Sequence, residues 1–147
     1  MIEQMKKELL KGNMEEAREL AFQVDFDDLH ECLIGLSHET GSMFIYTFGY
    51  SLLLKQESAK LHELLYVMLS ISLPYIEGAY ESSLYHARRA AALDPDDVEY
   101  KSCILLFHEI PDQLVSKEEA VEIAKEIITV DPTNSAATKI LLRYGIA

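Results

Sequence analysis

The sequence predicts an all-α fold of antiparallel helical hairpins, about nine helices in 147 residues. Three observations carry that expectation. The phrase Leu93-Asp94-Pro95-Asp96-Asp97 returns 37 residues later as Val130-Asp131-Pro132-Thr133-Asn134, and an apolar residue followed by Asp-Pro ends one helix and opens the next. Apolar residues recur at three- and four-residue spacing through most of the chain. No second convincing strand is available to pair with the single stretch that alternates.

The elements follow in order. Residues 2–11 make a first helix, stopped by Gly12-Asn13. Asn13 is expected to cap a second helix, with Glu16 completing a capping box and Ala17, Leu20, Ala21 and Val24 forming its apolar face. Asp25, Asp27 and Asp28 form the next cap region, followed by a helix of about ten residues bearing Leu29, Cys32, Leu33 and Leu36. In residues 43–54, Phe44, Tyr46, Phe48 and Tyr50 alternate as in a strand, while Phe44, Phe48 and Leu52 fall four apart as in a helix. A lone strand would leave its backbone groups unpaired, so this segment is read as helix.

Residues 58–73 form a helix ended by Pro74, and residues 76–92 another, through Leu84, Ala87 and Ala91. Residues 97–109 place Tyr100, Cys103, Ile104 and Phe107 on one face. Ser116 caps the next helix with Glu119 in a capping box, and Ala120, Ile123, Ala124, Ile127 and Ile128 form its buried stripe. Thr133 or Asn134 starts a last helix, residues 133–144, which Gly145 stops.

These residues resemble the tetratricopeptide-type repeat, a helix–turn–helix unit of about 34 residues with small residues at helix contacts and Pro at the exit. The best match is Glu119-Ala120-Val121-Glu122-Ile123-Ala124-Lys125-Glu126-Ile127-Ile128-Thr129-Val130-Asp131-Pro132, with Ala120 at the small position and Pro132 at the exit. Ser83, Ala87, Ala90 and Pro95 fit the preceding unit, and Gly12 to Ala17 resembles the turn of a degenerate third. The unit ending at Pro132 has extra residues between its helices, Ile104 stands where the family has a small residue, and residues 25–60 do not match. The resemblance covers about half of the chain. It implies a single domain over 1–147, with units at 61–95 and 97–132 and a capping helix at 133–144 stacked as a short superhelix.

Charge and composition narrow the function. Roughly half of the residues are apolar, enough for a core at this length. The net charge is −12. Residues 94–131 carry eleven acidic against three basic side chains, residues 1–31 nine against four, and the middle is nearly neutral. Phosphate backbones and anionic membranes need Lys and Arg, so neither nucleic acid nor a membrane surface is expected as a partner, whereas a basic protein is permitted. The longest apolar run, Leu64 to Leu73, is broken by Ser70 and Ser72 and is short of a membrane span. The charged start lacks the pattern of a signal peptide, and two isolated cysteines, Cys32 and Cys103, read as small core residues of a cytoplasmic protein.

No motif predicts catalysis or a cofactor. Among His30, His38, His62, His86 and His108, the His62-Glu63 pair opens a zinc-protease pattern, but Tyr66 occupies the position of the second histidine. The Asp25/Asp27/Asp28 and Asp94/Asp96/Asp97 triplets lack the Gly and Glu of a calcium loop and read as helix caps. No metal and no enzyme activity is therefore expected.

Eight tyrosines are the remaining signal, because tyrosine joins a broad apolar face to a polar tip. Most are expected in helix contacts, with Tyr75, Tyr80 and Tyr85 around Gly78 at the surface. The family resemblance implies a groove lined by first helices, with Lys101, Leu105 and His108 facing it. Members that clamp a peptide carboxylate carry Lys and Asn at comparable positions in successive units; here only Lys101 fits, with Met68 at the aligned position of the neighbouring unit, so a partner helix or extended peptide is expected instead. A protein–protein adaptor is the leading expectation. A small acidic inhibitor of the antitoxin or immunity type, blocking a basic enzyme, is the alternative. A homodimer scaffold is a third, since a short repeat stack has an apolar end to cover.

Overall fold

A computed structural model describes residues 1–146. Among the described residues there are nine α-helices and no strand: α1 (Ile2–Leu10), α2 (Met14–Ala21), α3 (Phe26–Thr40), α4 (Met43–Lys55), α5 (Ala59–Val67), α6 (Ala79–Leu93), α7 (Val98–Glu109), α8 (Lys117–Val130) and α9 (Ser135–Arg143). Most helices pack on the next in sequence, as short connections allow, the exception being α2, which packs on α1 and α4 rather than on α3. Next-but-one contacts join α1 to α3, α2 to α4, α3 to α5 and α7 to α9.

The ambiguous aromatic segment is helical, α4, because Ile45, Phe48, Gly49, Leu52 and Leu53 are its buried set and their spacing is that of a helix face. Gly49 permits the closest approach to α5. A Cβ there would lie 2.6 Å from Leu65 Cδ2, an atom of a fully buried side chain. Just beyond this contact α5 runs into a π-helical turn, Met68–Ser72, before Leu73 and Pro74. There the Tyr66 carbonyl accepts hydrogen bonds from Ser70 Oγ at 2.7 Å and Ser83 Oγ at 2.9 Å. Of the two serines that interrupt the apolar run, Ser70 thus bonds to backbone, whereas the buried Oγ of Ser72 has no protein partner.

Several caps act as the sequence implies. Asp25 Oδ1 accepts from the Asp27 and Asp28 amides, Asp97 Oδ1 from the Glu99 amide, and Asn134 Oδ1 from the Ala137 amide. Both aspartate triplets therefore have a capping member. Other expectations need correction. Asn13 does not cap α2 with its side chain; its Nδ2 donates instead to Glu8 Oε2 at 2.6 Å. Glu8 is buried to 8 % exposure, and Asn13, Gln4 and Lys11 surround its carboxylate across the tight α1–α2 turn. At α8, Ser116 Oγ accepts from the Glu119 amide, but the Glu119 carboxylate turns away to pair with Arg88 of α6. Helix α3 runs to 15 residues, ending at Gly41 with φ 62°, and α6 starts only after Gly78, with φ 80°. Neither cysteine is fully buried: Cys32 and Cys103 sit half-buried against the two halves of the core.

The apolar interior has two parts. One gathers α1 to the π-turn around Met5, Leu9, Leu33, Phe48, Leu52, Leu64 and Met68. The other gathers α6 to α9 around Phe107, Ile104, Ala120, Ala124, Ile127, Ala137 and Ile140. The α5–α6 pair is the seam between them. Tyr66 of α5 crosses it to meet the Phe107 ring at 6.0 Å between centroids.

Candidate functional site

The apolar seam carries a polar insertion. On α6 the buried stripe reads Ser83, His86, Ala87, Ala90, so helical spacing drives His86 inward. On α5 it reads Leu61, His62, Leu64, Leu65, and His62 is driven toward α6 in the same way. Both imidazoles are essentially sealed, at 1 % exposure for His62 and 0 % for His86. Buried polar groups must find partners, and these two find each other: their Nδ1 atoms are 2.9 Å apart.

The outer nitrogens extend the chain in both directions. His62 Nε2 is 2.8 Å from Glu57 Oε1, and Glu57 also accepts from Arg89 Nε at 3.0 Å. His86 Nε2 is 2.9 Å from Tyr46 Oη on α4. With both rings neutral, hydrogen-bond logic fixes every proton. The Glu57 carboxylate only accepts, so His62 carries its proton on Nε2 and leaves Nδ1 bare. His86 must then donate from Nδ1, which leaves its Nε2 bare to accept from the Tyr46 hydroxyl. The direction is Tyr46 to His86 to His62 to Glu57, with every nitrogen used.

Three tyrosine rings surround the pair. Tyr85 lies 5.1 Å from His86 and 5.9 Å from His62, both edge-on. Tyr46 and Tyr50 lie 5.8 Å and 6.1 Å from His86. Tyr85 and Tyr50 keep 48 % and 37 % of their surface exposed, so the cluster forms an aromatic face on the molecule.

Electrostatics follow from this packing. Burial, and then the proximity of the second ionisable ring, His62, pushes His86 down to about 3. Burial, aided by Tyr50 and Tyr85, pushes the Tyr46 hydroxyl up to about 12, so it stays protonated. The His62 hydrogen bond and then Arg89 hold Glu57 below the usual carboxylate range.

The six residues singled out from sequence are placed as follows. Tyr85 belongs to this cluster. Tyr75 is 67 % exposed and its hydroxyl donates to the Gly41 carbonyl, pinning the turn after α3. Tyr80 is half-buried against the second core. Lys101 turns toward α8, with Nζ 3.2 Å from Glu126 Oε2. Leu105 is buried and lines a cleft of about 320 Å³ between α7 and α9, with Ser102, Leu106 and Lys139. His108 is buried too: its Nδ1 donates to the Val115 carbonyl at 2.9 Å and its Nε2 meets Tyr144 Oη at 2.6 Å. Lys101, Leu105 and His108 share one face of α7 but meet different neighbours, and His108 is buried against Val115 and Tyr144.

His62, His86, Tyr46, Tyr50, Glu57 and Arg89 were not legible as a set. The available signal was position: both histidines fall on the apolar stripes of their helices, where a polar ring needs a partner on a facing element. Among the described residues no group of three or more His, Cys, Asp or Glu is arranged to hold a metal ion, and no helix is long and apolar enough to cross a membrane.

No protein-family model matches this chain, and no curated protein or solved structure gives a significant match.

Proposed function

We propose that this chain is a non-catalytic protein–protein interaction module, a degenerate helical-hairpin repeat of the tetratricopeptide type that works in the cytoplasm, docking a helix or peptide of a partner on its seam. One observation carries the reading: Tyr50 and Tyr85 are presented over a buried, hydrogen-bonded layer that holds their neighbours in place. Exposed tyrosines held rigidly lose little freedom on binding and supply broad contact area. The sequential packing and next-but-one contacts favour a stack whose face can be shared with a partner.

The test is affinity capture with mass spectrometry, using the wild-type chain and a Tyr50→Ser/Tyr85→Ser variant in parallel, at low and high salt. The expected result is a partner retained by wild type at high salt and lost by the variant. The charge of −12 favours the second reading, an acidic inhibitor of a basic enzyme. That reading predicts a partner lost at high salt and indifferent to the two tyrosines.

A further inference from the structure

We propose that the Tyr46–His86–His62–Glu57 chain is a proton-sensing relay, in which uptake of one proton at the buried pair reverses the direction of every hydrogen bond from His62 to the Tyr46 hydroxyl. The inference comes from proton positions and does not depend on which partner docks at the seam.

In the neutral pair a single proton lies between the two Nδ1 atoms, bonded to His86. Tyr46, half-buried on α4, is the member of the chain next to His86 on the side away from Glu57. When a proton arrives from solvent, Tyr46 passes its hydroxyl proton to His86 Nε2 and takes the incoming one. The Nδ1 proton of His86 moves to His62 Nδ1. The balance is one proton gained: His62 becomes an imidazolium, and His86 stays neutral but now carries its proton on Nε2. Tyr46 Oη, a donor to His86 before, becomes an acceptor from it, and its own O–H is released outward beside Tyr50.

The groups facing the pair fit this state. Glu57, before α5, sits against the ring that becomes charged, and Arg89 of α6 shares the same carboxylate. Tyr46 and Tyr50 of α4 and Tyr85 of α6 turn uncharged rings toward His86. A second proton has no place, because it would set two N–H groups against each other across the 2.9 Å gap. The strong downward displacement of His86 agrees with that limit. His108 lacks the device: its Nδ1 ends on the Val115 carbonyl, which cannot become a donor.

The test is nitrogen-15 NMR of the histidine rings in the full chain, titrated from about pH 8 to about pH 4. The expected result is that His62 starts as the Nε2–H tautomer and becomes an imidazolium, while His86 stays neutral and moves from Nδ1–H to Nε2–H in the same step. A His86 that keeps its Nδ1 proton, a pair that charges together, or a pair that does not change would each overturn the relay. Tyr46→Phe removes the hydroxyl that passes the proton inward and leaves His86 Nε2 without a partner in both states, so the exchange between the two states should slow in the same titration; an unchanged exchange rate would also overturn the relay.

Discussion

His86 and His108 occupy similar surroundings and do different things. Each is sealed in the interior and each meets a tyrosine hydroxyl through Nε2, Tyr46 in one case and Tyr144 in the other. The difference is at Nδ1. His108 reaches a backbone carbonyl and ties the 110–116 connection to α9, a local anchor for the loop between α7 and α8. His86 reaches a second imidazole, and through it a carboxylate shared with an arginine, so it joins α4, α5 and α6 where the two apolar cores meet. What a buried histidine can do depends on whether its partner can also change its proton.

The largest expected effect that separates the two is acid sensitivity at His86. Its folded-state pKa is depressed, so below the unfolded value near 6.5 the unfolded chain takes up a proton that the native ring refuses. Its stabilising contribution is present above about pH 6.5 and is lost as pH falls toward about 3, a loss of up to roughly 5 kcal/mol. Urea unfolding across that range should show a shallower fall in a His86→Leu chain than in wild type; equal slopes would remove His86 as the cause.

Truncation comes next. His86→Ala leaves a cavity and orphans both His62 Nδ1 and Tyr46 Oη, at a cost of about 3–4 kcal/mol at neutral pH. His108→Ala orphans the Val115 carbonyl and the Tyr144 hydroxyl and should cost about 2–3 kcal/mol, with the damage confined to the α7–α9 region by amide hydrogen exchange. Spread of exchange from the His108 change into α4 and α5 would blur the comparison.

Smaller changes sharpen it. Tyr144→Phe and Tyr46→Phe each delete one hydroxyl and should each cost about 1 kcal/mol in denaturant unfolding. Ser72→Ala is the smallest: it removes a buried hydroxyl that has no protein partner, so stability should stay level or rise by about 1 kcal/mol. A clear destabilisation would mean that Ser72 Oγ is satisfied after all.

The helices themselves were readable because their cues are local. Asp25, Asp97, Ser116 and Asn134 each bond an amide two or three residues on, so the cap and its target lie in one short stretch of sequence. Asn13 has the same look but prefers Glu8, a choice set by the turn geometry that only the folded hairpin defines. Similarly, Glu119 looks like a capping-box residue but finds Arg88, 31 residues away. The histidine chain lies beyond local cues altogether. Glu57, His62 and His86 come together through the rotation of α5 against α6, and Tyr46 through the packing of α4, none of which periodicity specifies. Repeat position places His108 on a groove; the extra residues after Glu109 bring the Val115 carbonyl back to its Nδ1 instead.

His62 and His86 act as one unit across the seam, and a double-mutant cycle in urea unfolding measures that coupling. The cycle uses His62→Leu, His86→Leu and the double variant at neutral pH. Each single change strands the other ring's Nδ1, whereas the double change removes both, so the double variant should lose less than the two single losses together by about 1–3 kcal/mol. Additive losses would mean that the two imidazoles are independent residents of the core, and the account of the seam would fail.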